Sequence, residues 1–302
     1  MNIGIIATSP IVPWFMDAVK PFDSVKVSAI CSRNAEKAKP LAQEFHIDKI
    51  YTDMEELCKD PLIDTVYLTS PNFLHYSQAK LALSYGKNVI NEKPFCASLK
   101  QAKQLYALAQ EKNVFLFDMA ISREIERYEF ISKYIDQLGK VRLMKNNQSQ
   151  YSRKYDAFSA GETPNVFNPK MEGGALMDLG VYNVTLSVML FGKPEEVYYA
   201  GNVERGIDTS GELILKYPDA LYESSTSKNT NSQNMILVQG EKGYLSMQKD
   251  VGKELCFLCL NGQEKQELHY QSCIENVDRI VKCIDEKDTS CYGRTLVPRP
   301  FF

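Results

Sequence analysis

Over the first 120 residues the hydrophobic pattern switches repeatedly between two periods. The runs NIGIIA, VKVSAIC, DTVYLTS, KNVIN and VFLFDM, with a weaker one near Ile50, are short and apolar on both sides. That is the pattern of strands buried under two layers. Between them, residues 10–20, NAEKAKPLAQEF, MEELC, FLHYSQAKLALSYG and SLKQAKQLYALAQEKN carry helical spacing. Strand and helix units of this length in alternation predict a parallel sheet with helices on both faces. Gly86 suits the end of the fourth helix and Ser98 the start of the fifth. Pro40 falls inside the second helix and is expected to kink or shorten it.

Beyond residue 120 the texture changes. A helix, REIERYEFISKYIDQLG, leads to a strand, KVRLMKNNQSQYS, then to a polar stretch (155–172) and a strongly apolar helix (174–191). Strands follow: EEVYYAGNV, GELILKYPD, ALYESSTS, NMILVQGEKGYLSM and ELCFLCLNGQEKQELHY. Turn signals at Glu241-Lys242-Gly243 and Asn261-Gly262 imply antiparallel neighbours. A last helix, IENVDRIVKCIDEK, is expected near the end. The pattern predicts two domains, 1–120 with a doubly wound parallel sheet and 121–302 with a largely antiparallel open sheet, an α/β plus α+β architecture.

Composition excludes several classes. A formal net charge of -3, with no Lys/Arg run, argues against a nucleic-acid partner. No apolar run approaches the roughly 20 residues of a membrane span, and the N-terminus lacks the layout of a signal peptide. A cytoplasmic protein without a membrane partner is the expectation. The eight cysteines are scattered, and the single C-x-x-C, Cys256 and Cys259, lies in a strand-like run. Residues three apart on a strand point to opposite faces, so strand cysteines are expected and a metal site is not.

In a doubly wound sheet, ligands bind outside the carboxyl ends of the strands. After the first strand comes Ala7-Thr8-Ser9-Pro10-Ile11-Val12, with Ala7, Ser9 and Val12 at the places of the glycines in G-x-G-x-x-G. Those glycines serve the tight turn, the approach to pyrophosphate and the helix–strand contact. Without them the loop reads equally well as an ordinary strand-to-helix turn. Ser9 as helix cap and Pro10 as first helical residue would still favour an anion there. After the second strand comes Ser32-Arg33, where an arginine suits a 2′-phosphate and so NADP over NAD. A solvated arginine gives the same pattern. After the fourth and fifth strands come Ser70-Pro71-Asn72-Phe73-Leu74-His75 and Asn91-Glu92-Lys93-Pro94, polar groups at the same sheet edge.

In the second domain, GGALMDLGVYNVTLSVMLFG is apolar nearly all round and is expected to be buried. Asp178, Tyr182 and Thr185 share one face. A polar stripe on a buried helix must be hydrogen-bonded or face a wet cavity. Gly173, Gly174 and Gly180 would let another backbone or a ligand come close. A carboxylate and a phenol one turn apart can move a proton to or from a hydroxyl. Asp178 could equally anchor a neighbouring loop.

SPNFLH, NEKPFCASLKQAKQL and GGALMDLGVYNVTLSVMLFG together resemble the Gfo/Idh/MocA family of NAD(P)-dependent oxidoreductases, in its dihydrodiol dehydrogenase and NADP-dependent sugar dehydrogenase branch. The resemblance covers nearly the whole chain, in order. It implies an N-terminal Rossmann domain and a C-terminal substrate and oligomerisation domain, with a homodimer or higher homo-oligomer formed through the C-terminal sheet. It implies an NADP-dependent enzyme interconverting a hydroxyl and a carbonyl on a sugar, polyol or vicinal diol. Lys93 matches the lysine at cofactor and substrate hydroxyl. Asp178 and Tyr182 match the substrate-side pair, Tyr182 moving the proton, Asp178 orienting substrate and Lys93 stabilising charge. Ser32 and Arg33 match the holders of the 2′-phosphate, and Asn72, His75 and Glu92 match residues lining the cofactor pocket. Thr8, Ser9, Ile11 and Ser70 complete the expected cofactor contacts. Arg123 stands where many relatives have an arginine, but within AISREIE. The glycine-free loop departs from the relatives and leaves a second possibility, a catalytically silent member that binds or senses a metabolite. DTSCYGRTLVPRPFF stops where relatives continue into another helix, so an altered or truncated end is expected.

Overall fold

The structure, a computed structural model, describes residues 1–250, 253–270 and 277–287. The expectations for the first residues of the last helix and for the C-terminal segment lie outside the described residues. The chain divides into two compact units, one of Met1–Arg123 joined by the last described helix, the other running on from Glu124.

In the first unit β1 (Asn2–Ile6), α1 (Val12–Val19), β2 (Lys26–Cys31), α2 (Ala35–Glu44), β3 (Lys49–Tyr51), α3 (Met54–Lys59), β4 (Thr65–Leu68), α4 (His75–Ser84), β5 (Asn88–Asn91), α5 (Leu99–Lys112) and β6 (Leu116–Asp118) alternate as the periodicity predicts. The six strands pair in parallel in the order β3-β2-β1-β4-β5-β6. The order reverses between β1 and β4, the switch point where a doubly wound sheet opens its crevice. Every strand but the edge strand β3 splits its side chains between two helical layers. Ile3, Ile5, Ile30, Tyr67, Ile90 and Phe117 pack with Phe15 of α1 and Ala38 of α2. Ile6, Ala29, Val66, Leu68, Val89 and Leu116 pack with Leu57, Leu83 and Leu105 of α3, α4 and α5. Burial on both faces is why these strands read as continuous apolar runs.

Three local expectations meet corrections. Pro40 neither ends nor shortens α2, which runs through it as one ten-residue helix with five residues before Pro40 and four after. Pro40 is exposed, so the carbonyl that loses its partner can turn to water. Ser9 does not cap α1. The cap is Ile11, Pro13 occupies the first turn, and Ser9 belongs to a turn before the helix. The helix expected from Arg123 begins instead at Met119, as α6 (Met119–Ile135), directly after β6. Asp118 Oδ1 accepts from the Ala120 amide at 2.8 Å and satisfies one of its orphan donors.

The second unit holds β7 (Val141–Ser149), α7 (Tyr155–Ser159), α8 (Val181–Phe191), β8 (Glu196–Glu204), β9 (Ile207–Lys216), β10 (Leu221–Ser227), β11 (Met235–Gly240), β12 (Gly243–Asp250), β13 (Lys253–Leu260) and β14 (Gln266–Leu268). They form one sheet in the order β14-β13-β12-β11-β7-β10-β9-β8. Among the described residues only β7 and β10 pair in parallel; every other pairing in this sheet is antiparallel. One face is covered by α6 and α8, with Ile131 and Leu186 against Met144, Leu213, Tyr222, Val238, Leu245 and Cys256. The helix α9 (Val277–Glu286) belongs to the first unit and gives Val277, Ile280 and Cys283 to its core.

By length and composition alone the stretch Pro169–Phe191 is apolar enough to cross a bilayer, which the sequence reading did not anticipate. Asn183, Leu186 and Ser187 of this stretch are buried, the rest of α8 only partly so. The expectation of burial all round is therefore corrected to burial of one face.

Candidate active site

The loop after β1 keeps the shape of a glycine turn without the glycine. Ala7 has φ +81, in the region that glycine enters freely and other L-residues avoid. Its amide donates to the Cys31 carbonyl at 2.8 Å, tying the turn to the end of β2. The Ser9 carbonyl takes the Val12 amide at 3.0 Å, and Ser9 Oγ accepts from the Ile11 amide at 3.4 Å. Pro13 supplies no amide at all. The amides at the start of α1 are thus largely engaged within the loop, and Thr8, Ser9 and Ile11 are half-buried around it. Val12 is fully buried in the core beside Phe15, filling the helix–sheet contact that a third glycine would leave thin.

After β2, Ser32 donates its amide to Tyr51 O at 3.0 Å, and its hydroxyl accepts from the Asn34 amide at 3.4 Å. Arg33 is exposed, and no hydrogen bond or ion pair engages it among the described residues. After β4, Ser70 donates to Gln78 Oε1 at 2.5 Å, and Asn72 opens a short 3-10 turn, Asn72–Leu74. His75 is buried, with Nδ1 2.8 Å from Pro94 O and Nε2 2.8 Å from Ser70 O. Both ring nitrogens face carbonyls, which accept from whichever nitrogen carries the proton. His75 therefore braces the loops after β4 and β5 against each other and offers no polar atom of its own to a pocket.

Glu92 is buried as well. Its Oε1 accepts from Tyr67 Oη at 2.8 Å and from Arg123 Nη2 at 2.8 Å, and its Oε2 from the Lys93 amide at 3.1 Å. This carboxylate holds Arg123 and the Lys93 backbone, while the Lys93 side chain is half-buried beside it. Asn91, at the end of β5, donates Nδ2 to Phe95 O at 2.7 Å, and its Oδ1 is buried with no donor among the described residues. Burial, with Glu92 nearby, pushes the Asp118 carboxyl up to about 7, against the Ala120 and Ile121 amides and Arg123. A shifted acid at such an edge is a mark of functional sites.

In the second unit Asp178 sits in a single π-helical turn, Leu176–Gly180, that leads into α8. Such turns recur at functional sites because they re-aim side chains out of α register. Asp178, Tyr182 and Thr185 are half-buried on the flank of the helix, beside its buried face. Lys228, just past β10, is 4% exposed and donates Nζ to Asp178 Oδ2. The glycines serve protein contacts. A Cβ on Gly173 would lie 2.6 Å from Val166 O, and one on Gly174 would lie 2.0 Å from Asp208 Oδ1. Asp208 Oδ2 in turn accepts from the Leu176 amide at 2.8 Å and from Tyr199 Oη at 2.7 Å, anchoring the start of the turn. Gly180 lets the helix approach Thr226 of β10, with its would-be Cβ 3.3 Å from Thr226 Oγ1.

Sequence reasoning missed Lys228 and Asp118, and it placed Asn91 at the sheet edge without giving it a role. A lone lysine in STSKNT carries no signal, because lysine in a polar stretch is ordinarily solvated. Asp118 ends an apolar strand, and the rule that ligands gather at strand carboxyl ends, which brought out Asn91, could have found it too.

The chain also resembles known proteins. Residues 1–118 match an oxidoreductase family with an NAD-binding Rossmann fold, and residues 134–246 match the GFO/IDH/MocA C-terminal domain. The uncharacterized oxidoreductase YgjR of Escherichia coli is 31% identical over 292 residues, 95% of this chain and 89% of YgjR. The scyllo-inositol 2-dehydrogenase (NADP(+)) IolU of Bacillus subtilis is 32% identical over 244 residues, 80% of this chain and 74% of IolU. The trans-1,2-dihydrobenzene-1,2-diol dehydrogenase of Mus musculus is 31% identical over 235 residues, 76% of this chain and 68% of that enzyme. With its two domain matches and relatives of this similarity along most of its length, the chain belongs to the GFO/IDH/MocA family of oxidoreductases.

Proposed function

We propose that this protein is an NADP-dependent dehydrogenase or reductase interconverting a hydroxyl and a carbonyl on a sugar, polyol or vicinal diol. The first unit holds the cofactor and the second presents the substrate-side groups. The observation that carries the reading is the carboxyl edge of the six-stranded sheet. There Arg33 is exposed with no partner and Asn91 Oδ1 is buried with no donor, among the described residues. A dinucleotide fits both, offering a 2′-phosphate to the guanidinium and a donor to the amide oxygen.

Ser32 and Arg33 would hold the 2′-phosphate, and Thr8, Ser9, Ile11, Ser70 and Asn72 would line the remaining length. When bound, the nicotinamide supplies the hydride acceptor or donor. Glu92 orients Arg123 and the Lys93 backbone, and Lys93 carries positive charge for the developing alkoxide. On the second unit Asp178 accepts a hydrogen bond from substrate, and Tyr182 gives or takes the hydroxyl proton. The kinship with IolU and with the mouse diol dehydrogenase supports substrates of that class. The same reading makes the protein cytoplasmic.

The outer face of the eight-stranded sheet exposes Leu143, Tyr198, Ile214, Leu221 and Tyr244. Their register puts all five on one side, an apolar patch suited to a second copy of the chain. Light scattering should then give at least a dimer.

Fluorescence titration with NADPH and NADH tests the cofactor assignment, with tighter NADPH binding expected. A panel of aldoses, inositols and vicinal diols with NADP+, and of dicarbonyls with NADPH, tests the reaction. Lys93→Met should abolish turnover of the best panel member while leaving the fold intact. Full activity in that variant would remove Lys93 from the chemistry.

A further inference from the structure

The second unit buries a cation that no assignment so far uses. Lys228 is 4% exposed, and its side chain is even less accessible than that of Asp178, at 5% against 22%. Its ammonium donates to Asp178 Oδ2 and lies 5.5 Å from the centre of the Phe167 ring. The base of the side chain is fixed by main-chain bonds. The Lys228 amide donates to Thr209 O at 2.8 Å, and its carbonyl accepts from the Ser152 amide at 2.8 Å. Phe167 is itself fixed, stacked on Phe158 with ring centres 4.8 Å apart. From the other side, Gly180 allows the helix bearing Asp178 to close on Thr226, two residues before Lys228.

A buried ammonium costs several kcal/mol unless a carboxylate pairs with it. Retaining one here therefore implies that Asp178 is ionised and that one of its oxygens is committed. A carboxylate fixed at one oxygen cannot swing about its terminal torsion, which is otherwise broad. We propose that Lys228 is the positioning residue of the substrate side, holding Asp178 as an oriented carboxylate that accepts from a substrate hydroxyl and does not serve as an acid. Lys228 acts through Asp178 and does not touch substrate. The ring of Phe167 stands beside the ammonium, and the two backbone bonds of Lys228 fix the base of its side chain. The polar stretch 155–172 thereby enters the site through Phe167.

The proposal rests on the reading of Asp178 given above, and the experiment separates the two. The variants are Lys228→Met, Lys228→Arg, Asp178→Asn and the Lys228→Met/Asp178→Asn double, all in the full chain. Scyllo-inositol with NADP+ and the best member of the substrate panel are the probes. In Lys228→Met, KM should rise about tenfold or more, the effect of losing one charge-assisted contact, while NADPH affinity stays within about twofold because the cofactor unit is untouched. Lys228→Arg should recover most of that KM. In the Asp178→Asn background, Lys228→Met should add little further loss, since its effect is routed through the carboxylate. Unchanged KM in a folded Lys228→Met protein, or additive losses in the double variant, overturns the positioning role.

If Lys228→Met fails to fold, the double variant, which removes both charges, should fold, and failure of both would show a purely structural lysine. Lysine 15Nζ NMR of the wild type provides a substrate-free arm. A slowly exchanging ammonium signal that disappears in Asp178→Asn supports the pair, and its absence from the wild type overturns it. If Asp178→Asn leaves turnover at the wild-type level, the functional reading of Asp178 falls, whatever the NMR result.

Discussion

Replacing Ala7 by glycine should stabilise this protein. Ala7 occupies φ +81. An L-residue held in the left-handed region costs about 1–2 kcal/mol, chiefly through its Cβ against the neighbouring carbonyl. Glycine removes that cost and introduces another, about 0.5–1 kcal/mol of extra backbone entropy lost on folding. The expected net gain is about 0.5–1 kcal/mol, or about 1–4 °C in Tm for a unit of this size. Because the turn already has the glycine shape, with the Ala7 amide bonded to Cys31 O, the loop should not rearrange, and NADPH affinity should change by less than about threefold, or 0.7 kcal/mol. Differential scanning calorimetry and a NADPH titration of Ala7→Gly measure both. Ala7→Val is the control and should lower Tm, since a β-branched residue tolerates this φ worse than alanine. An unchanged or lower Tm in Ala7→Gly would show that the turn is not strained. A large gain in NADPH affinity would show that the Cβ itself obstructs the cofactor.

Arg33→Ala should weaken NADPH by about 10–100-fold, the worth of charge-assisted contacts to one phosphate, and leave NADH nearly unaffected; parallel titrations read the ratio. Gly174→Ala should destabilise the second unit by about 3 kcal/mol from overpacking and backbone strain together. Its Cβ would stand 2.0 Å from Asp208 Oδ1 at φ +111, and urea denaturation reads the loss. Asp118 carries a pH dependence of definite sign. Its folded value of about 7 lies above its ordinary 3.8, so its contribution is complete below about pH 4 and is lost as pH rises to about 7, by about 4 kcal/mol at most. Asp118→Asn keeps an acceptor for the Ala120 amide and should flatten that decline in urea melts taken between about pH 4 and pH 8. A decline as steep as in the wild type would remove Asp118 as its source.

Periodicity alone was enough for most elements. A strand buried on two faces and a helix buried on one have different repeats, and each repeat is written into a short stretch of chain. Hence β1 to β6 and their helices, the Gly86 and Ser98 signals and the hairpin at Gly243 were all legible. Parallel pairing of the first sheet followed from connection length, and its carboxyl edge from that. The motifs around Lys93 and Asp178 were readable for the same reason, being contiguous.

What the sequence did not specify was which particular distant segments meet in the second unit and at its site. The pairing of β7 with β10, the return of α9 to the first core and the ion pair of Asp178 with Lys228 each join residues far apart in the chain. No local repeat encodes them; they follow from which buried faces and charges find one another once the sheet has formed. The same holds for the glycines. Gly173, Gly174 and Gly180 were visible as permissive positions, but only packing decided that Val166, Asp208 and Thr226 fill the space they leave. The glycine-free loop is the reverse case. From its letters alone it had lost a fingerprint, whereas the tertiary bond from Ala7 to Cys31 imposes the glycine conformation on a residue that would not choose it.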